Sequence, residues 1–188
     1  VFSTTNVKSL LTGNYIDNSF VEWTNEHDAA PANENEFSFG GLTVTGNIFT
    51  VNDVTSAFRW FVVTPYGPGH FINGLSISDN VFRTVNTSID RVEGLDTTYA
   101  TLDFARMRNV TVEANAFNGI GQITQSPVMV QHDQNTAAET WVIDAAAYLP
   151  FGGRARNVQA VVPEGAITTA AGVATYAMPF ALVEQGAA

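Results

Sequence analysis

The sequence predicts an all-β fold wound as a parallel β-helix, a solenoid whose coils run about 33 residues each. The first observation is a phrase that occurs four times, at Lys8–Ile16, Gly41–Phe49, Gly74–Phe82 and Asn109–Phe117. Its asparagines, Asn14, Asn47, Asn80 and Asn115, stand 33, 33 and 35 residues apart. The second observation is alternation inside the phrase. Leu42 and Val44, Leu75 and Ile77, and Val110 and Val112 are separated by small polar residues such as Thr43, Ser76 and Thr111. Period two marks strands with one buried face. The third is the Gly-Asn or Asp-Asn step between two apolar stretches, which signals a bend because Gly and Asn tolerate left-handed backbone angles.

Each element follows from its residues. The first copy of the phrase is degraded, with Ser9 in place of the first apolar residue and Leu11 as the second. The intervals supply further expected strands at Phe58–Val63, Ala100–Phe104 and Pro127–Gln131, with Phe58, Trp60 and Val62 on one core face. Helical periodicity is confined to short turns at Asn135–Ala138 and Asp144–Leu149. Leucine-rich repeats have a shorter period, and tetratricopeptide or ankyrin repeats need helices that this pattern lacks. Residues 1–134 are thus expected to form the coils and 135–156 an irregular connection. In the last stretch, 157–188, Val158, Ala160 and Val162 alternate, a turn falls at Pro163–Gly165, and 166–169 and 173–177 read as returning strands. An open solenoid end must be covered, so this stretch is expected to be a C-terminal β cap or a subunit contact. The chain opens on Val1 and enters the first repeat within a few residues, which reads as a fragment of a longer protein.

Composition narrows the classes. With 188 residues, 45% hydrophobic and 14% charged, the chain can build one sizeable core. The net charge is −10, Lys8 is the single lysine, and the arginines form no stripe. That argues against nucleic acid, whose phosphates need clustered cations. No apolar run approaches the roughly 20 residues of a membrane span. There is no cysteine, hence no disulfide and no thiolate metal ligand.

The phrase Val-x-Val-x-Gly-Asn-x-Phe resembles the coil consensus of right-handed parallel β-helices in the pectate lyase and polygalacturonase-like superfamily, which includes phage tailspike-type proteins. The resemblance covers about residues 6–134. It implies that Asn14, Asn47, Asn80 and Asn115 stack as an internal ladder. Strands about 4.8 Å apart put stacked carboxamides within hydrogen-bonding reach, and buried amides must be paired. Phe49, Phe82 and Phe117 are expected to stack as an internal aromatic column.

The densest polar constellation is Glu22–Asp28, where Glu26, His27 and Asp28 follow Trp23. Carboxylates beside an aromatic ring suit sugar binding and acid–base cleavage of a glycosidic bond. Glu26 and Asp28 are therefore the expected catalytic pair. Trp23, His27, Arg59, Asp103 and Arg106 are the expected substrate-binding residues. Arg59 lies 12 residues after Asn47 and Glu26 lies 12 after Asn14, so a constant coil length predicts that the two are neighbours. His70 sits in a glycine-rich turn that lacks the lysine and helix of a phosphate loop. No metal spacing and no cofactor motif is present. The calcium-binding aspartates and catalytic arginine of pectate lyases, and the paired aspartates of polygalacturonases, find no counterparts here. The expected function is that of a polysaccharide- or oligosaccharide-binding β-helix with lyase or glycosidase activity, extracellular or on a cell or virion surface. The alternative is a non-catalytic structural or adhesive segment of a homotrimeric spike.

Overall fold

The computed structural model describes residues 1–176 and 178–183. Its strands succeed one another in threes. The first coil comprises β1 (Asn6–Thr12), β2 (Tyr15–Asp17) and β3 (Val21–Thr24). The second comprises β4 (Gly40–Thr45), β5 (Ile48–Asn52) and β6 (Phe61–Thr64). The third comprises β7 (Asn73–Ser78), β8 (Val81–Val85) and β9 (Glu93–Leu95). β10 (Arg108–Glu113) and β11 (Ala116–Asn118) begin a fourth. Corresponding strands pair in parallel and build three sheets, β1-β4-β7-β10, β2-β5-β8-β11 and β3-β6-β9. The chain is a parallel β-helix.

The repeated phrase sets the register. Leu42 pairs with Leu75 and Leu75 with Val110, while Leu11, Val44, Ile77 and Val112 form the next row. These rows point inward, and Leu42, Val44, Leu75 and Ile77 are almost wholly buried. In the second sheet Ile16, Phe49, Phe82 and Phe117 align. The Phe49 and Phe82 rings stack at 4.9 Å, and Phe82 and Phe117 at 5.7 Å. The first spacing matches that of neighbouring strands, as an in-register column requires.

Between the first two sheets the chain turns on a left-handed residue before each asparagine: Gly13 (φ 68°), Gly46 (φ 65°), Asp79 (φ 55°) and Ala114 (φ 54°). The turn aims the carboxamides along the solenoid axis. Asn14, Asn47 and Asn80 each donate from backbone and side chain to the Oδ1 of the next asparagine, at 2.9–3.0 Å. Each following asparagine also reaches back to a carbonyl of the coil before it, at Leu11, Val44 or Ile77. The ladder is therefore continuous and backbone-anchored.

The intervals depart from the sequence expectations. The third strand of coil two begins at Phe61, and Trp60 and Phe61 are both buried. Alternation then puts Val63 inside and leaves Val62 half-exposed on the outer face. Residues 100–104 form no strand. Asp103 instead closes a turn, accepting the Ala105 N–H at 3.0 Å and, through its carbonyl, the Arg106 N–H at 3.1 Å. Residues 127–131 form no strand either; among the described residues the open edge of β10 meets Ser126 alone, through Val112. Short 3-10 turns occur at Ala146–Tyr148 and Pro150–Gly152, and none at 135–138.

The edge of the third sheet is covered by the Pro150–Gly152 turn. Phe151 packs edge-on against Phe61, with ring centroids 6.3 Å apart. The described part of 157–183 makes a single small antiparallel pair, β12 (Ile167–Thr168) with β13 (Ala174–Thr175). Residues 158–162 form no strand, Ala177 and 184–188 lie outside the described residues, and no described helix is long and apolar enough to cross a membrane.

Candidate functional site

The outer face of the third sheet is the most chemically varied surface of the solenoid. Its strands are in register at Glu22, Val62 and Gly94, which all point outward. Gly94 leaves room for the Arg59 side chain to lie flat across the sheet. A Cβ at position 94 would come within 2.9 Å of Arg59 Cγ. Arg59, Val62 and Gly94, together with Arg91, Glu93, Asp96 and Phe151, line an open groove of about 490 Å³.

Beyond the groove lies an aromatic platform. Tyr66 and Tyr99 stack at 4.1 Å with their planes 16° apart. Tyr99 is 59% exposed and Tyr66 half-buried. Two carboxylates flank them. Glu22 accepts a hydrogen bond from Thr64 Oγ1 at 3.1 Å, two residues before Tyr66. Glu26 follows Asn25, whose Oδ1 holds the Tyr66 N–H at 2.8 Å. Desolvation first, then the bond and charge of Tyr99 and the charges of Glu26 and Glu22, push the Tyr66 phenol from 10.0 up to about 12. The neutral phenol is the form that the fold favours. Its contribution to stability is complete below pH 10 and is lost as pH rises through about 12. In an ultraviolet titration of the tyrosines, one late step is expected near pH 12, and Tyr66→Phe should remove it.

Behind the platform a buried network fixes the loop that carries Glu26. Asn25 Nδ2 contacts Asp28 Oδ2 at 3.1 Å, the Tyr66 carbonyl at 3.1 Å and His70 Nε2 at 3.2 Å. His70 Nε2 lies 2.6 Å from the Pro31 carbonyl, and Nδ1 lies 2.8 Å from Ser38 Oγ. A carbonyl accepts only, so Nε2 carries a proton toward Pro31 and the Asn25 Nδ2 contact with it is not a hydrogen bond; Nδ1 meets Ser38 Oγ. Ser38 Oγ also accepts the Phe71 N–H at 3.3 Å. The serine–histidine pair is thus a buried tie between coils. Next to His70, Gly69 lets the Asn33 segment pack closely, because a side chain there would strike the Asn33 carbonyl.

The predicted site residues divide accordingly. Glu26, His27 and Asp28 sit on the exposed loop, with His27 Nε2 3.6 Å from Glu26 Oε1 and Asp28 tied to Asn25. Trp23 is fully buried, donates its indole N–H to the Thr4 carbonyl at 2.8 Å, and packs on Phe39. It presents no ring to a ligand, because alternation along β3 turns Glu22 out and Trp23 in. Arg59 does not meet Glu26. Its guanidinium binds the Ser56 and Phe58 carbonyls at 2.8 Å and pairs with Asp90 at 3.4 Å. Asp103 is held in its turn, and its N–H donates to the His70 carbonyl at 2.6 Å. Arg106 lies 4.1 Å over the Phe71 ring and binds the Asn35 carbonyl at 2.6 Å and the Gly69 carbonyl at 3.4 Å. Both brace the coils from the side. The tyrosine pair escaped sequence reasoning, although Tyr66 and Tyr99 stand 33 residues apart, the repeat period itself.

Among the described residues no group of three or more His, Asp or Glu side chains is placed to hold a metal ion. No family model matches the chain, and no curated protein or solved structure shows significant similarity to it.

Proposed function

We infer that this parallel β-helix is a glycan-binding protein of the pectate lyase-like kind, working at a cell or virion surface, and that its binding face is the outer side of the third sheet. The observation that carries the reading is the Tyr66–Tyr99 stack, with Tyr99 exposed, the charges of Glu26 and Glu22 acting on Tyr66, and Asp96 of the groove three residues before Tyr99. Stacked tyrosines supply a rigid apolar surface for the flat face of a sugar ring, with polar groups beside it for the hydroxyls. The groove continues across adjacent coils, which suits an extended chain of residues. Cleavage, where it accompanies binding, falls to Glu22 and Glu26, the two carboxylates at the platform; Asp28 is occupied by Asn25. A panel of immobilised neutral, anionic and cationic glycans tests the reading. Retention of at least one class is expected. Tyr99→Ala should weaken it about tenfold, or ~1.4 kcal/mol. Equal binding by wild type and Tyr99→Ala would place the ligand elsewhere.

A second reading, a structural segment of an oligomer, has its own observation. The described tail exposes Tyr176 (94%), Met178, Phe180 (90%) and Leu182, and Glu164 is the one charged residue between 157 and 183. Charge depletion with exposed aromatics is the composition of an interface core. Light scattering should then return a multiple of 20.2 kDa, reduced to the monomer mass by joint Tyr176→Ser and Phe180→Ser. A monomeric wild type removes this reading.

A further inference from the structure

The charges around the tyrosine platform carry a statement about its ligand. Glu22 and Glu26 flank the rings, Asp28 lies on the same loop, and Asp96 stands three residues before Tyr99 in the adjoining groove. Thr98 donates to Asp96 Oδ1 from both backbone and hydroxyl, at 2.9 and 2.6 Å, and these bonds lower the pKa of the Asp96 carboxyl. The cations nearby are occupied. Arg59 is bound to Ser56, Phe58 and Asp90, Arg91 to Glu93 and the Leu149 carbonyl, and Arg106 to Asn35 and Gly69. His27 leans on Glu26.

Such a surface repels a uronate polymer twice. At long range the chain's net charge of −10 opposes a polyanion. At short range a ligand carboxylate would meet Glu22 and Glu26 with no uncommitted arginine to receive it. A protonated amine meets the reverse situation. The electron-rich faces of Tyr66 and Tyr99 attract an ammonium group, and the flanking carboxylates accept its N–H donors as charge-assisted hydrogen bonds. Resting on the glycan-binding reading of this face, we propose that its ligand class is a polymer of amino sugars bearing free amines, held by ring stacking on Tyr99 and by ammonium contacts to Glu22 and Glu26.

The test is calorimetric titration of the full chain with three hexamers: glucosamine, N-acetylglucosamine and galacturonate. At roughly 50 mM salt the glucosamine hexamer should bind at least about tenfold tighter than its acetylated counterpart, and the advantage should shrink as salt rises. Glu26→Gln should erase most of that advantage. Tyr99→Ala keeps the chain's charge and should weaken glucosamine binding about tenfold, which separates a built site from general attraction between opposite charges. Glucosamine binding unchanged in Tyr99→Ala would overturn the proposal as mere polyelectrolyte attraction. Equal binding of the acetylated hexamer, or tighter binding of galacturonate, would overturn the ligand class and leave the glycan reading standing. Failure of all three hexamers also overturns the ligand class, and the wider glycan panel then decides the glycan reading separately. Circular dichroism of each variant confirms that the exposed substitutions leave the fold intact.

Discussion

Replacing Asn80 by leucine should unfold the solenoid about 4 kcal/mol more easily, because three or more buried polar groups lose their partners at roughly 1–3 kcal/mol each. Asn80 is 1% exposed. Its Oδ1 receives both the backbone and the side-chain N–H of Asn47. Its Nδ2 serves the Val44 and Ser78 carbonyls and Asn115 Oδ1. Leucine keeps the branching and heavy-atom count of the carboxamide but is bulkier, so overpacking adds to the loss of the hydrogen bonds. Asn14 is the internal control. It occupies the exposed end of the ladder, donates to Thr12 and Asn47, and is open to water. Asn14→Leu should cost less than about 1 kcal/mol, since solvent replaces the lost bonds. Urea unfolding curves of the two variants check both numbers. Equal losses at the two sites would mean that the ladder does not stabilise by satisfying buried amides.

The ladder and its rows were legible because the coils repeat where the chain turns between the first two sheets. The same left-handed bend recurs there, so residue identity recurs with it. The third sheet was not legible, although the overall period is equally regular. Val21 of coil one pairs with Phe61, and Phe61 pairs with Glu93. Val21 follows its asparagine by seven residues, whereas Phe61 follows Asn47 by fourteen. Coil one recovers the difference in the longer loop between β3 and β4. A constant count of residues therefore conceals a shift of the corner, and the count that placed Arg59 beside Glu26 failed for that reason. Burial of Trp23 was readable from the alternation Val21-Glu22-Trp23, yet the charged loop beyond it outweighed that short signal. A second set of asparagine contacts, at Asn18, Asn52 and Asn86, was also missed, and the left-handed turn beside it repeats without a repeated residue type. Asn18 Oδ1 accepts the Asn52 N–H at 2.9 Å, and Asn86 contacts Asn52 at 3.4 Å. Asn, Asp, Asn and Gly take the left-handed position in successive coils there, at Asn18, Asp53, Asn86 and Gly119. The conformation repeats while the letter does not.

Glu93 occupies an inward row, in register with Phe61 and Val21, and is 3% exposed. A carboxylate in that row is tolerable only because the solenoid's covering turn brings donors to it. Arg91 approaches Oε1 at 3.1 Å, Thr124 Oγ1 donates to Oε2 at 2.7 Å, and the Phe151 N–H donates to Oε1 at 3.2 Å. Arg91 in turn holds the Leu149 carbonyl at 2.7 Å. One side chain thus joins the last strand of the third sheet, the 124 segment and the Pro150–Gly152 turn. Glu93→Ala leaves Arg91 and the Phe151 N–H without their partner and should cost about 3–5 kcal/mol, the usual range for breaking a buried pair from one side. Hydrogen exchange should localise part of the loss, with the amides of Leu149, Phe151, Gly152, Gly153 and Thr124 exchanging faster than those of the first coil. The double variant Glu93→Leu with Arg91→Met removes both charges together and should recover most of the stability, because apolar side chains of similar size restore packing without the desolvation of two ions. If the double variant is as unstable as Glu93→Ala, the buried pair itself, rather than the contact surface it organises, holds the covering turn on the solenoid.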